Sequence, residues 1–480
     1  MQRKTMITRS VNEREVIRML ERVKAEANQW VRQLGSDLKF ALSQLARFLL
    51  GGVKLPRFIW HQVRRREIRK EVVHAALFLV VLHLAWAALL VWKDGWAAAI
   101  FLVASRWLLP AWLAAAVVAG VFGVDQRGFR LVAMLTTAGM ATQIVLDSSN
   151  TAQLILHTCV AMVMAVLGAM SYFWLASLEA ASMIRLVNAL SVGMYLLLLA
   201  QPPSHGTRAW LTIGGSSFQL TEAERLLAMI AAVRAATDRE QPDREKTMTV
   251  FKILALHSMG LALCNEFGTL ALIWINCILV LFLSVHQLRW AGIGLGFAGL
   301  ALYAGVLVTK LCFQIGFKPG AIIYRKICDR LLGSGDGFQS SAAAKGILLS
   351  GWFGNDSRVF IPAAQNDMVL VSIAQIWGML GLFLVLLLFA GLVLWGIAAC
   401  SRARGANFPC VLAFACTAQL GAQLAVNAVS AFALGPIVGV GSPFLALGGS
   451  ALASTYFTVG AALVGSGDLK AVEARHYLER

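Results

Sequence analysis

Twelve apolar runs divide this 480-residue chain, and several exceed the roughly 20 residues that carry a helix across a hydrocarbon core. They lie at about 73–92, 105–124, 131–147, 154–177, 183–200, 220–235, 250–265, 268–285, 291–313, 369–398, 408–433 and 448–465. In lipid every backbone N–H and C=O has to be hydrogen-bonded within the protein, so only helices or closed barrels span, and these runs are too continuous for barrel strands. With 58% hydrophobic and 14% charged residues, the expected fold is all-α: a polytopic helical membrane protein of about twelve helices. An even count places both termini on one side. The short basic loops agree: Arg127 with Arg130, Arg185, Arg239 with Arg244 and Lys246, Arg289, and Arg402 with Arg404 all fall on that side. The positive-inside rule makes it cytoplasmic.

The net charge of +17 does not imply nucleic acid, because its placement follows the membrane. Residues 1–71 hold 17 Lys/Arg against 7 Asp/Glu, and the run Arg64-Arg-Arg-Glu-Ile-Arg-Lys70 abuts the first apolar run. No stacking platform or nucleic-acid motif accompanies it. Val16, Leu20, Val23, Ala27 and Trp30 recur at helical spacing between charges, which predicts an amphipathic cytoplasmic helix. Anionic lipid, a partner and plain solvation remain open as what that helix faces. The first apolar run starts near Val72, too far in for a cleaved signal peptide. Eight cysteines without Cys-x-x-Cys spacing and eight scattered histidines give no metal pattern; no cofactor is evident, and a divalent cation stays open. The expected divisions are 1–71, a basic amphipathic region; 72–130, two helices; 131–465, a membrane core; and 466–480, a cytoplasmic tail.

The loop 314–368 stands apart. The helix count places it outside, yet it carries Lys318, Arg325, Lys326, Arg330, Lys345 and Arg358, against the usual charge bias and suited to an anionic substrate. It ends in Ile361-Pro-Ala-Ala-Gln-Asn-Asp367, directly before a long apolar run. About 70 residues on come Leu434-Gly-Pro-Ile-Val-Gly439 and Ser442-Pro-Phe-Leu-Ala-Leu-Gly-Gly-Ser450. A carboxylate at a helix mouth, followed by a Pro/Gly-broken turn, suggests a site at the membrane surface. From the residues alone, Asp367 reads as a helix N-cap ahead of a general base.

Four segments, in order, resemble the SEDS family (shape, elongation, division and sporulation), the RodA/FtsW-type polymerases of bacterial cell-wall synthesis. Gly206-Thr-Arg-Ala-Trp210 with Phe218-Gln219-Leu-Thr-Glu222-Ala-Glu-Arg225 is similar to Gly-x-x-Arg-Trp and Phe-Gln-Pro-Ser-Glu-x-x-Lys. Glu266-Phe-Gly-Thr269 is similar to Pro-Asp-Leu-Gly-Thr. The stretch from Tyr324 through Gly337-Phe-Gln339 and Gly351-Trp-Phe-Gly354 to Pro362 and Asp367 resembles the large external loop ending in Leu-Pro-x-x-His-Thr-Asp-Phe. Pro436, Gly439, Pro443-Phe444 and Gly448-Gly-Ser450 resemble the fourth motif. The likeness covers roughly 131–465 and implies a ten-helix core, with the two preceding helices as additions. Leu220 stands for the motif's Pro, Arg225 for Lys, Glu266 for Asp, and Gln375-Ile376 for a Glu-Glu pair.

The resemblance implies a peptidoglycan glycosyltransferase. An acceptor sugar hydroxyl attacks the anomeric carbon of lipid II, an undecaprenyl-diphosphate-linked disaccharide peptide, and the diphosphate leaves. One base suffices, since the leaving group needs no acid, and the family implies Asp367 as that base. Substrate contacts are expected from Arg208, Gln219, Glu222, Arg225, Glu266, Arg325, Lys326, Arg358, Pro436, Ser442 and Ser450, the cations facing phosphate. The family also implies a class B penicillin-binding transpeptidase as partner. Two rival readings are a non-catalytic scaffold of the division or elongation machinery and a transporter of a lipid-linked precursor.

Overall fold

A computed structural model describes residues 21, 24–26, 28–46, 66–121, 124–204, 206–213, 216–284, 288–316, 324, 337–355, 358–402, 408–435 and 438–465. All twelve apolar runs lie in helices: α1 Arg66–Lys93, α2 Gly95–Val121, α3 Gln126–Leu146, α4 Thr151–Ser177, α5 Ala180–Ala200, α6 Leu220–Ala236, α7 Asp243–Cys264, α8 Phe267–Ser284 and α9 Leu288–Gln314, then α11 Val369–Arg402, α12 Phe408–Ala431 and α13 Gly449–Gly465. A further helix, α10 Gly337–Leu348, lies in the long loop before α11. Among the described residues nine helices are long and apolar enough to cross a membrane, while α6 and α13 are shorter, at 17 residues each.

Local chemistry sets the ends. Helix α2 starts ten residues before its expected run because Asp94 caps it, accepting from Trp96 N at 3.0 Å and Ala97 N at 3.2 Å. Asp125 caps α3 through Arg127 N, and Asn265 ends α7 in the left-handed conformation. Between α5 and α6 the chain forms a hairpin that the all-helical reading did not anticipate. Strands β1 Trp210–Ile213 and β2 Ser216–Gln219 pair antiparallel, with Trp210 opposite Gln219. Alternating apolar residues around Gly214-Gly215 carried that signal.

Helices α1 and α2 pair with each other and pack across α3 and α4; α13 runs along α4; α11 packs on α3 and α12; and α5–α8 form a second group joined through α12. The α4–α13 crossing depends on two glycines. A Cβ on Gly168 would lie 2.1 Å from the Phe457 carbonyl oxygen, and one on Gly460 would lie 1.9 Å from that of Ala165. Small residues at such crossings let backbones approach without a partner having to move. Gly460→Leu is therefore expected to destabilise by at least about 1–3 kcal/mol, the usual range for overpacking, seen as a lower Tm in detergent. Gly193→Leu, where a Cβ meets open space, should leave Tm unchanged; equal Tm for both variants would refute the close contact.

Helix α11 is interrupted at Gly378, whose φ of 75° and ψ of −178° lie where glycine is favoured. The segment 351–355 fills the break: Met379 N donates to Gly351 O at 2.9 Å, Leu380 N to Trp352 O at 3.2 Å, and Asn355 N to Gln375 O at 2.9 Å. Helix α1 braces the same place. Trp86 stacks edge-on against Trp377 at 5.2 Å, and Lys93 Nζ donates to Phe353 O at 3.4 Å.

Residues 28–46 of the basic N-terminal region are helical. One face docks within the chain: Arg185 Nε reaches Asp37 Oδ2 at 2.6 Å, Ser182 Oγ donates to Asp37 at 3.0 Å, and Ala41 is buried. Trp30, Val31, Leu38, Phe40 and Leu42 remain exposed.

Candidate active site

Asp367 lies two residues before α11, at the end of a tight turn. Asn366 N and Met368 N both donate to Ala363 O, at 3.0 and 3.1 Å, and Ser372 Oγ donates to Ala364 O at 2.9 Å. Only the backbone of Asp367 is tied down, its carbonyl accepting from Asn427 Nδ2 at 2.8 Å. Among the described residues nothing donates to its carboxylate, so it is not acting as the helix cap. The carboxyl is half-buried and faces the Gly439 turn, where an added Cβ would lie 3.8 Å from Oδ2. Desolvation pushes it above the ordinary carboxylate range.

A network of buried amides joins this turn to the 438–450 segment. Gln143 Nε2, from α3, donates both to Gln365 O at 2.7 Å and to Leu445 O at 2.8 Å. Asn427 Nδ2 also reaches Val440 O at 2.7 Å, and Gln423 Nε2 reaches Gly441 O at 2.8 Å. Leu447 N donates to Gln365 O at 3.1 Å, while the Leu447 carbonyl is 2.9 Å from His157 Nδ1. Irregular backbone at the edge of a membrane needs this internal satisfaction. Gln143, His157, Gln423 and Asn427 were not singled out from the sequence. One signal was available, since Gln419, Gln423 and Asn427 recur every fourth residue on an apolar helix.

Beside the turn opens a cleft of about 420 Å³, lined among others by Leu146, Arg358, Gln365, Asn366, Ser372 and Gln375. Arg358 is exposed there, with Nη1 donating to Val145 O at 3.1 Å. Asp147 sits at its margin, 3.5 Å from Gln365 Nε2. Hydrogen bonds from the Ser149 hydroxyl and N–H hold the Asp147 carboxyl below the ordinary range. Asp147 and Asp367 are thus pushed in opposite directions, and the raised carboxyl is that of Asp367.

The other expected residues gather around the β-hairpin. Ser450 Oγ accepts from Gln219 N at 3.1 Å, linking the hairpin to the 438–450 segment. Arg225, 2% exposed, is ion-paired to Glu222, 7% exposed. Arg208 Nη1 donates to Leu199 O at 3.0 Å, and its N–H donates to Cys264 O at 2.9 Å, next to Glu266. Ser442, within the 438–450 segment, is buried. No hydrogen bond or ion pair among the described residues ties Arg208, Glu222, Arg225 or Glu266 to Asp367. Arg325, Lys326 and Pro436 lie outside the described residues. Among the described residues no three His, Cys, Asp or Glu side chains converge as metal ligands.

Comparison with known proteins places these elements in context. The model of the FtsW/RodA/SpoVE cell cycle proteins matches residues 126–464, from the start of α3 to the end of α13. The chain is 25% identical over 267 residues to a probable peptidoglycan glycosyltransferase FtsW of Francisella salina, covering 53% of this chain and 65% of that protein. It is 26% identical over 254 residues to the peptidoglycan glycosyltransferase MrdB of Escherichia coli K12, covering 52% and 68%. The chain thus spans somewhat less than two thirds of the first of these relatives. In fold it is similar to a chain solved in a peptidoglycan synthase complex, at a TM-score of 0.57 with 21% identity, covering 72% of this chain and 98% of that one. Rod shape determining protein RodA of Thermus thermophilus matches at a TM-score of 0.52 with 19% identity, covering 72% and 97%.

Proposed function

The chain belongs to the FtsW/RodA/SpoVE family, and from that membership we propose that it is a peptidoglycan glycosyltransferase polymerising lipid II at the outer face of the cytoplasmic membrane during growth or division. Relatives named as peptidoglycan glycosyltransferases support the reading. The observation that carries it is the Asp367 carboxylate: uncapped, desolvated and aimed at the Gly439 turn beside a cleft. A base for this reaction has to be ionised enough to accept a proton and basic enough to hold it, which desolvation favours. The acceptor hydroxyl gives its proton to Asp367 as its oxygen bonds to the anomeric carbon. The bond from that carbon to undecaprenyl diphosphate breaks, and the electron pair leaves with the diphosphate. Arg358, exposed in the cleft, presents the planar fork that suits phosphate oxygens. A class B penicillin-binding transpeptidase is the partner that would crosslink the product.

The test is direct. Purified protein incubated with lipid II, with and without a transpeptidase, should yield glycan polymer resolved on a gel. Intact lipid II after incubation with folded protein in both arms would favour the scaffold reading. Topology offers a second check. Lys345 is exposed on α10, so Lys345→Cys should react with an impermeant maleimide on intact spheroplasts, whereas cysteines at positions 20 and 475 should react only after lysis. Labelling of position 345 only after lysis would put the cleft on the wrong side for polymerisation.

A further inference from the structure

Helices α1 and α2 precede the family match, which begins at residue 126, so the activity of the family does not account for them. Helix α2 is held in one orientation. Phe101, Ala104, Leu108 and Trp112 are buried on its inner face, against α1, α3 and α4. Its other face carries Trp96, Val103 and Trp107, exposed at 72%, 60% and 64%. In the middle of that face is an exposed arginine, Arg106.

Depth makes Arg106 unusual. It is eleven residues from Gly95 and fifteen from Val121, in a helix of about 40 Å set in a hydrocarbon layer of about 30 Å. Its Cα lies about 16 Å along the helix axis from Gly95, so a side chain snorkelling toward that end starts from well inside the span. Among the described residues it makes no hydrogen bond or ion pair. Intramembrane cations normally face a bundle interior or a carboxylate, because lipid solvates them poorly. A second copy of this chain does not meet the need: among the described residues no exposed carboxylate lies mid-helix in any apolar helix. Val103 and Ala99, three and seven residues before Arg106, leave the surrounding face free of bulky polar groups.

We propose that this face of α2 docks a transmembrane helix of another protein, one carrying an aspartate or glutamate at the depth of Arg106. The charge pair sets register and selects the partner, while Trp96, Val103 and Trp107 supply apolar contact. The added hairpin thus serves as a recruitment surface outside the catalytic core.

Single-span synthetic peptides test the proposal: a polyleucine helix with one central aspartate, and the same helix with leucine there. Each carries an acceptor dye, and energy transfer from donor-labelled full-length protein is measured in phosphatidylcholine–phosphatidylglycerol vesicles. The aspartate peptide should bind the native protein at least tenfold more tightly than the leucine peptide. Arg106→Leu should erase that preference and Arg106→Lys should keep it. Because Arg106 faces outward, Arg106→Leu should still insert and turn over lipid II like the native protein, which serves as the folding control. Equal binding of both peptides to the native protein, or a preference that survives Arg106→Leu, overturns the proposal.

Discussion

Replacing Asp367 with Asn is expected to lower lipid II polymerisation by about 10²- to 10⁴-fold, the usual worth of general-base assistance, without unfolding the protein. The substitution keeps the size of the side chain and leaves the Asp367 carbonyl, with its hydrogen bond from Asn427, untouched. It removes only the capacity to take the acceptor proton. Stability provides the internal control, through its sign. Desolvation raises the carboxyl of the folded state above its ordinary value. The folded state therefore holds the proton more firmly than the unfolded state, and stability falls as pH rises through the folded pKa. At neutral pH the ionised carboxyl is a destabilising group, so Asp367→Asn should melt no lower than the native protein.

On the proposed function, the same shift sets the pH dependence of the native protein. Activity should decline on the acid side as Asp367 is protonated, with an inflection above the ordinary value of about 3.9 for an aspartate. Asp147, held below the ordinary range by Ser149, stays ionised through that window and is not the group responsible. Asp147→Asn should therefore leave the inflection where it is. Near-native polymer yield from Asp367→Asn, with lipid II turnover confirmed, removes Asp367 from the mechanism.

Much of the fold is legible in the chain because burial in lipid writes itself into composition: every apolar run became a helix. What hydropathy does not encode is how polar backbone is satisfied where helices stop. Gly378 reads in the sequence as one more glycine in an apolar helix, and nothing nearby says that residues 351–355 will fill its break. Asp37 and Arg185 are 148 positions apart, so the amphipathic pattern of the N-terminal region predicted a helix but not where it docks. At the candidate site, Asp367 was readable as a carboxylate at a helix mouth. Whether it caps α11 depends on atomic direction, which only the fold supplies. The amides of Gln143, Gln423 and Asn427 were passed over because uncharged polar residues in an apolar helix look incidental until their acceptors are known.

Arg225 and Glu222 pose a question that a pair of variants answers. Both are buried and paired to each other, and among the described residues Arg225 Nε finds no further partner. Removing one member strands the other, so Arg225→Met should destabilise by about 3–5 kcal/mol, the usual cost of an uncompensated buried charge. Neutralising both is different, because apolar or uncharged groups of similar volume often replace a buried pair at no loss. The double variant Glu222→Gln/Arg225→Met should therefore recover most of the lost Tm. Polymerisation then separates structural support from substrate contact. Activity that returns along with Tm assigns the pair to holding α6 beneath the hairpin that bonds Ser450 through Gln219. A double variant that melts like the native protein but polymerises poorly assigns it to the substrate, with Arg225 as a phosphate ligand reached from the hairpin side. Failure of the double variant to regain stability shows that the charges themselves, rather than their volume, hold this corner of the fold.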